Sequence, residues 1–225
     1  MLDGITRVHD EYDNTQRSAA NEVNRIFSFS VLERAAELSS VSSPDQAEAL
    51  LRDMALQANK LLFYYRQGRP LSVWQFYPGT VGILAAIWRD QLICVWAGDC
   101  LGLLLRGDEK HVIADQQTER AFALGYSKKQ LYAEVCNHPN HPDAYGIFNG
   151  DQAVAQLLGA SRTPLQKGDT VLLSTDGLGA YLLEEPARQL AASTPDQMLE
   201  ASAPFDCPPR AAYADDKAIL RLDIL

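Results

Sequence analysis

Cysteine is scarce in this 225-residue chain, and the four present (Cys94, Cys100, Cys136 and Cys207) are scattered, with no C-x-x-C pair. That spacing offers neither a zinc set nor a disulfide framework, so free thiols in a reducing, cytoplasmic compartment are expected. Basic residues are also outnumbered: 20 Lys and Arg stand against 29 Asp and Glu, a net charge of −9. Nucleic acid and anionic membrane surfaces, which need a basic footprint, are therefore not expected as partners. No apolar run approaches the length of a membrane span. No basic stretch followed by an apolar one opens the chain, so a secretory leader is not expected either. The string G-x-x-x-x-G-K-[ST] is missing, which argues against a phosphate-binding P-loop. G-x-S-x-G and the known cysteine-nucleophile signatures are missing too, which disfavours a hydrolase built on Ser or Cys.

What remains is ordinary globular material, 47% apolar and 22% charged, long enough to bury a sizeable core. From Ser18 to Leu38, Ala19, Val23, Ile26, Phe27, Phe29 and Val31 recur at mostly helical spacing. Ser43-Pro44-Asp45-Gln46 then starts a second helix, with Ser43 as N-cap, Pro44 at the first helical position and Gln46 closing a capping box. Gly68 ends it. Thr80 to Trp88 and Gln91 to Ala97 read as a hairpin turning at Arg89-Asp90; Leu101 to Leu105 and Lys110 to Ala114 read as another around Gly107-Asp108. Together these four runs suggest an antiparallel meander. Thr118 to Val135 is more helical, residues 137–143 are loop, and Gln152 to Leu158 is a short helix candidate. Lys167-Gly168-Asp169 turns into a strand that ends at Asp176, Thr194-Pro195-Asp196-Gln197 repeats the capping-box pattern, and Ala218 to Ile224 closes the chain as a strand. With no linker, low-complexity tract or internal repeat, residues 1–225 are read as a single α+β domain in which helices cover antiparallel sheet.

The candidate chemistry lies in aspartates at strand ends. Val171 to Leu173 reads as a buried strand that delivers Asp176-Gly177, Asp215-Asp216 stands just ahead of the last strand, and Asp3-Gly4 opens the chain. Gly98-Asp99 follows another apolar run, Leu92 to Ala97. Carboxylates fixed at strand ends suit hard divalent cations such as Mg²⁺ and Mn²⁺, and two such ions side by side favour phosphate ester hydrolysis. Asp-Gly is also common turn chemistry, so each motif alone has a structural reading. His138 and His141 sit three apart in a Pro-rich loop with no cluster to complete a zinc set, and a surface loop is expected there. His9 and His111 are isolated.

The order of these motifs resembles the metal-dependent serine/threonine protein phosphatases of type 2C. In that family an Asp-Gly precedes two long helices, as Asp3-Gly4 does here, and a Gly-Thr-initiated strand follows, matched by Gly79-Thr80-Val81. The family's Gly-Asp-Ser-Arg string is matched in part by Gly98-Asp99-Cys100-Leu101. Its later Ser-Asp-Gly corresponds to Thr175-Asp176-Gly177, and its closing Asp-Asn to Asp215-Asp216. The stretch Asp115 to Gly125 looks like the family's segment after its hairpin, and His138-Pro139 sits where its His-Pro commonly does. The resemblance implies a sandwich of two antiparallel β-sheets flanked by helices (α-β-β-α) with a two-metal Mg²⁺ or Mn²⁺ centre. It implies that Asp3 bridges the ions, that the Gly4 carbonyl completes one site, and that Asp176 and Asp215 hold the other ion. A third ion, as in bacterial-type members, falls between Asp99 and Asp176. The implied reaction is hydrolysis of phosphoserine and phosphothreonine in a phosphoprotein substrate by a metal-activated water.

Three departures accompany the resemblance. The family's first strand, with a phosphate-contacting Arg and a Glu-Asp pair, has no counterpart in this chain. Asp-Gly-x-Gly-Gly-His reads Asp3-Gly4-Ile5-Thr6-Arg7-Val8, with His9 one residue past the family position, and Ser-Arg reads Cys100-Leu101. Arg7 and Arg17 are the substitutes considered for the phosphate contact. The alternative reading is a phosphatase-like module with impaired catalysis that binds a partner or a phosphorylated segment.

Overall fold

In the computed structural model, which describes residues 1–5, 19–67, 78–118, 123–127, 130–206 and 217–225, eight strands form two four-stranded antiparallel sheets. They are β1 (Leu2–Ile5), β2 (Gly79–Trp88), β3 (Gln91–Ala97), β4 (Leu101–Arg106), β5 (Glu109–Ala114), β6 (Gly159–Pro164), β7 (Thr170–Ser174) and β8 (Ile219–Asp223). One sheet has the order β1-β2-β3-β6 and the other β5-β4-β7-β8.

The alternation of side chains explains how the layers stack. Along β3, Leu92, Cys94 and Trp96 join a cluster that also holds Leu104, Ile113, Val171 and Leu173 of the second sheet. The intervening Ile93, Val95 and Ala97 face the other way, into a cluster with two long helices, α1 (Ala19–Arg34) and α2 (Pro44–Arg66). In the second sheet Leu101, Leu103, Leu105 and Leu172 point outward onto three short helices, α3 (Gly179–Glu184), α4 (Ala187–Ala192) and α5 (Pro195–Ala201). Both sheets are therefore covered on both faces, which is why β3, β4 and β7 read as unbroken apolar runs. The result is an α-β-β-α sandwich.

Local signals account for several boundaries. Ser43 caps α2 by accepting from the Gln46 amide at 3.2 Å. The Gln46 side chain closes the box one residue early, accepting from the Ser42 backbone and hydroxyl rather than from Ser43. At α5 the reciprocal box between Thr194 and Gln197 is complete. Gly68 lies outside the described residues.

Some expectations need correction. The two hairpins do not form one meander: β2–β3 belongs to the first sheet and β4–β5 to the second. The chain changes sheets at Gly98-Asp99-Cys100, because alternation fixes the face of a strand and not its neighbour. In the segment Thr118 to Val135, read as more helical, the described part is helical at Ala123, at Gln130 and through a π-helical turn, Leu131–Val135, while residues 119–122 and 128–129 lie outside the described set. The short helix read over Gln152 to Leu158 is a 3₁₀ helix, Gln152–Gln156, two residues shorter than expected. Strands β1 and β6 and helices α3 and α4 were not anticipated. No helix among the described residues is long and apolar enough to cross a membrane.

Candidate metal centre

Asp3 lies in the short edge strand β1, opposite Val81 of β2, with Gly4 opposite Thr80. The buried Thr80 hydroxyl donates to the Asp3 carbonyl at 2.7 Å, tying β1 to its neighbour beyond the ladder bonds. Asp99 follows Gly98 at the sheet-to-sheet corner. Gly98 has φ +87, and a Cβ there would sit 2.1 Å from Val81 Cγ1, so the corner is pressed against the cross-strand partner of Asp3. Asp176 follows β7 and opens a 3₁₀ turn, Asp176–Leu178, that runs into α3. Its Oδ1 is shielded from solvent.

These three aspartates, 77 residues or more apart from one another in the chain by number, act on one buried thiol. Burial pushes the Cys100 thiol well above its usual range. The negative charges of Asp99 and Asp3 add to that shift, the Met1 ammonium opposes it, and Asp176 raises it further. The predicted Asp3, Asp99 and Asp176 thus share one neighbourhood at the end of the sandwich. Asp215 and Asp216, together with His9, Arg7 and Arg17, lie outside the described residues. Next to that segment, the Thr175 hydroxyl accepts from the Ala218 amide at 2.9 Å, and the Thr175 amide donates to the Ala218 carbonyl at 3.1 Å. Ala218 stands three positions after Asp215 in sequence.

The donor chemistry at this end fits a hard cation. Carboxylates and a backbone carbonyl supply oxygen, and burial pushes the nearby thiols of Cys100 and Cys136 well above their usual range. Among the described residues no three His, Cys, Asp or Glu side chains are gathered tightly enough to enclose an ion by themselves. The histidine loop lies at the surface, with His138 exposed; His141 Nδ1 accepts from the Asp143 amide at 3.1 Å, and its Nε2 lies 3.4 Å from the Tyr126 hydroxyl.

Sequence reasoning missed the residues that brace the corner. Of the four residues after β5, three bond to it and Asp115 bonds to the strand that leads into it. Asp115 accepts from Trp96 Nε1 at 3.1 Å, and Gln116 Nε2 donates to the Asp99 carbonyl at 2.9 Å. Gln117 Oε1 accepts from the Gly98 amide at 2.9 Å, and Thr118 Oγ1 lies 3.4 Å from Asp99 Oδ2. Gln117 also bonds to the Gly146 amide and the Leu157 carbonyl, so one amide links three loops. The only signal for this brace was the family-like stretch beginning at Asp115.

The architecture has clear counterparts among solved structures. Serine/threonine phosphatase Stp1 from Staphylococcus aureus superposes with a TM-score of 0.64 over 100% of this chain and 82% of that one, at 16% identity. The catalytic domain of serine threonine protein phosphatase PstP, in complex with two manganese ions, gives 0.61 over 98% and 84%, at 15% identity. The chain has the fold of the type 2C serine/threonine phosphatases. PppA, a key regulatory component of T6SS in Pseudomonas aeruginosa, has the same architecture, with a TM-score of 0.62 over 98% of this chain and 82% of that one, at 20% identity. No protein-family model matches the chain, and no curated sequence matches it.

Proposed function

We propose that this domain is a Mg²⁺- or Mn²⁺-dependent phosphatase that hydrolyses phosphoserine and phosphothreonine in proteins. The observation that carries the reading is the type 2C fold, with Asp3 in β1, Asp99 at the corner after β3 and Asp176 after β7 all near enough to Cys100 for their charges to raise its thiol. Asp3 with the Gly4 carbonyl, and Asp176 with Asp215, hold two ions in this reading, and Asp99 with Asp176 holds a third. When bound, such ions would supply an acidified water and offset charge on the phosphoryl oxygens. The protein's own part is to hold the carboxylates in place. Thr80 anchors the Asp3 backbone, Gly98 packs against Val81 just before Asp99, and the Thr175 bonds to Ala218 anchor the start of the Asp176 turn. No covalent enzyme intermediate is required, consistent with the burial of Cys100, which pushes its thiol up.

The second reading, a phosphatase-like binding module, is favoured by one feature. The two residues after Asp99 are Cys100 and Leu101, both buried in the cores, where the family carries Ser and Arg. Turnover separates the two. Purified protein with Mn²⁺ should release phosphate from a phosphoserine peptide and stop when EDTA is added or Asp176 is replaced by Asn. Phosphopeptide binding without release would favour the module, and release unaffected by both EDTA and Asp176→Asn would remove the metal mechanism.

A further inference from the structure

The turn that carries Asp99 and the turn that carries Asp176 meet at a single side chain. Gln116 Nε2 donates to the Asp99 carbonyl at 2.9 Å. The same amide lies against Gly179, the first residue of α3 and three positions after Asp176: a Cβ built on Gly179 would fall 2.7 Å from both Gln116 Nε2 and Oε1. The contact exists because position 179 carries no side chain. Gly179 itself has ordinary helical backbone angles, φ −54 and ψ −51, so its backbone does not demand glycine. The space it leaves is what the Gln116 amide uses.

We propose that Gln116 is a positioning residue that holds the Asp99 turn against the Asp176 turn, so that both carboxylates are offered to one divalent cation. The proposal rests on the metal-centre reading above. A hydrogen bond to the Asp99 carbonyl fixes the backbone from which that carboxylate projects, and the van der Waals stop at Gly179 fixes the distance to the second turn. Groups that orient ligands in this way typically contribute 10- to 100-fold to metal affinity. The adjacent Gln117 serves the corner differently. It bonds to Gly98, Gly146 and Leu157 and so holds the fold of the corner.

Gly179→Ala gives a clean test, because the atoms that a new Cβ meets are the far end of a flexible side chain. The methyl group displaces the Gln116 amide from Asp99 while the helix gains a better helix former, so the metal-free protein should keep or raise its melting temperature. Gln116→Ala removes the same bond from the other side. Mn²⁺ affinity is measured by calorimetry on the full chain at a temperature where every variant is folded, beside melts in EDTA. Each single variant should weaken Mn²⁺ binding by about 10-fold or more, and the double variant should be no weaker than Gln116→Ala alone, since the two changes break one contact. Wild-type affinity retained by both single variants overturns the positioning role and leaves the metal centre standing. Wild-type protein that binds no Mn²⁺ overturns both. A double variant weaker than either single one by the product of their effects also overturns the proposal, because it would mean that Gly179 acts independently of Gln116.

Discussion

Gly98→Ala probes the joint on which the whole site turns, and its cost can be worked from two separate effects. At φ +87 any L side chain is strained, which costs about 1–2 kcal/mol. The new methyl group would also lie 2.1 Å from Cγ1 and 2.3 Å from Cβ of Val81. Val81 is only 1% exposed and its Cβ is fixed to the β2 backbone, so it has no room to retreat; overpacking of this kind costs about 1–3 kcal/mol. The total is about 2–5 kcal/mol. Gly107, in the β4–β5 turn, is the control: its φ is +58, but nothing lies within 4 Å of a Cβ built there. Gly107→Ala should therefore cost only the backbone strain, about 1–2 kcal/mol. At about 2–4 °C per kcal/mol for a chain of this size, the two variants should differ in Tm by about 2–12 °C. Urea titrations of wild type and both variants read this difference directly. Equal destabilisation would refute the claim that the corner is pressed against the strand that pairs with Asp3.

Two further outcomes follow from the ion pairs and the carboxylates. Asp169 is buried and receives both Arg106 Nε at 2.9 Å and Nη2 at 2.7 Å, and the Arg106 guanidinium holds its carboxyl below the usual range. Because the folded pKa is the lower one, this stabilisation is present above about pH 4 and is lost as pH falls through the folded value. Asp169→Asn should cost about 1.5–3 kcal/mol at neutral pH and flatten the acid limb of the stability curve; a variant with the wild-type acid limb would count against it. Asp176→Asn should leave the melting temperature in EDTA unchanged or slightly higher by relieving carboxylate repulsion. Wild type should gain about 2.7 kcal/mol from Mn²⁺ at 100 times its Kd, and the variant should gain little. Equal loss in both conditions would make Asp176 a turn residue only.

How much of this was legible in the sequence differs by element. β3 and β7 were plain because burial on both faces leaves an unbroken apolar run, and α2 and α5 were marked by their caps. β6, Gly-Ala-Ser-Arg-Thr-Pro, was invisible: among the described residues it is a polar edge strand paired with β3 alone. The assignment of hairpins to different sheets was equally hidden, since Leu103 and Val95 look alike until topology gives them different partners. At the site, strand-end motifs and family order marked Asp3, Asp99 and Asp176, but their common neighbourhood depends on the chain crossing between sheets at Gly98. Gln116 carried no pattern of its own. Its bond to Asp99 spans 17 residues and its seat on Gly179 spans 63, distances at which local sequence says nothing.

The most direct test of the central claim is anomalous scattering from crystals grown with Mn²⁺. The account predicts two manganese peaks about 3.5–4 Å apart, within about 2–2.5 Å of carboxylate oxygens of Asp3 and Asp176. Crystals of folded wild-type protein in saturating Mn²⁺ with no anomalous peak at these carboxylates would contradict it.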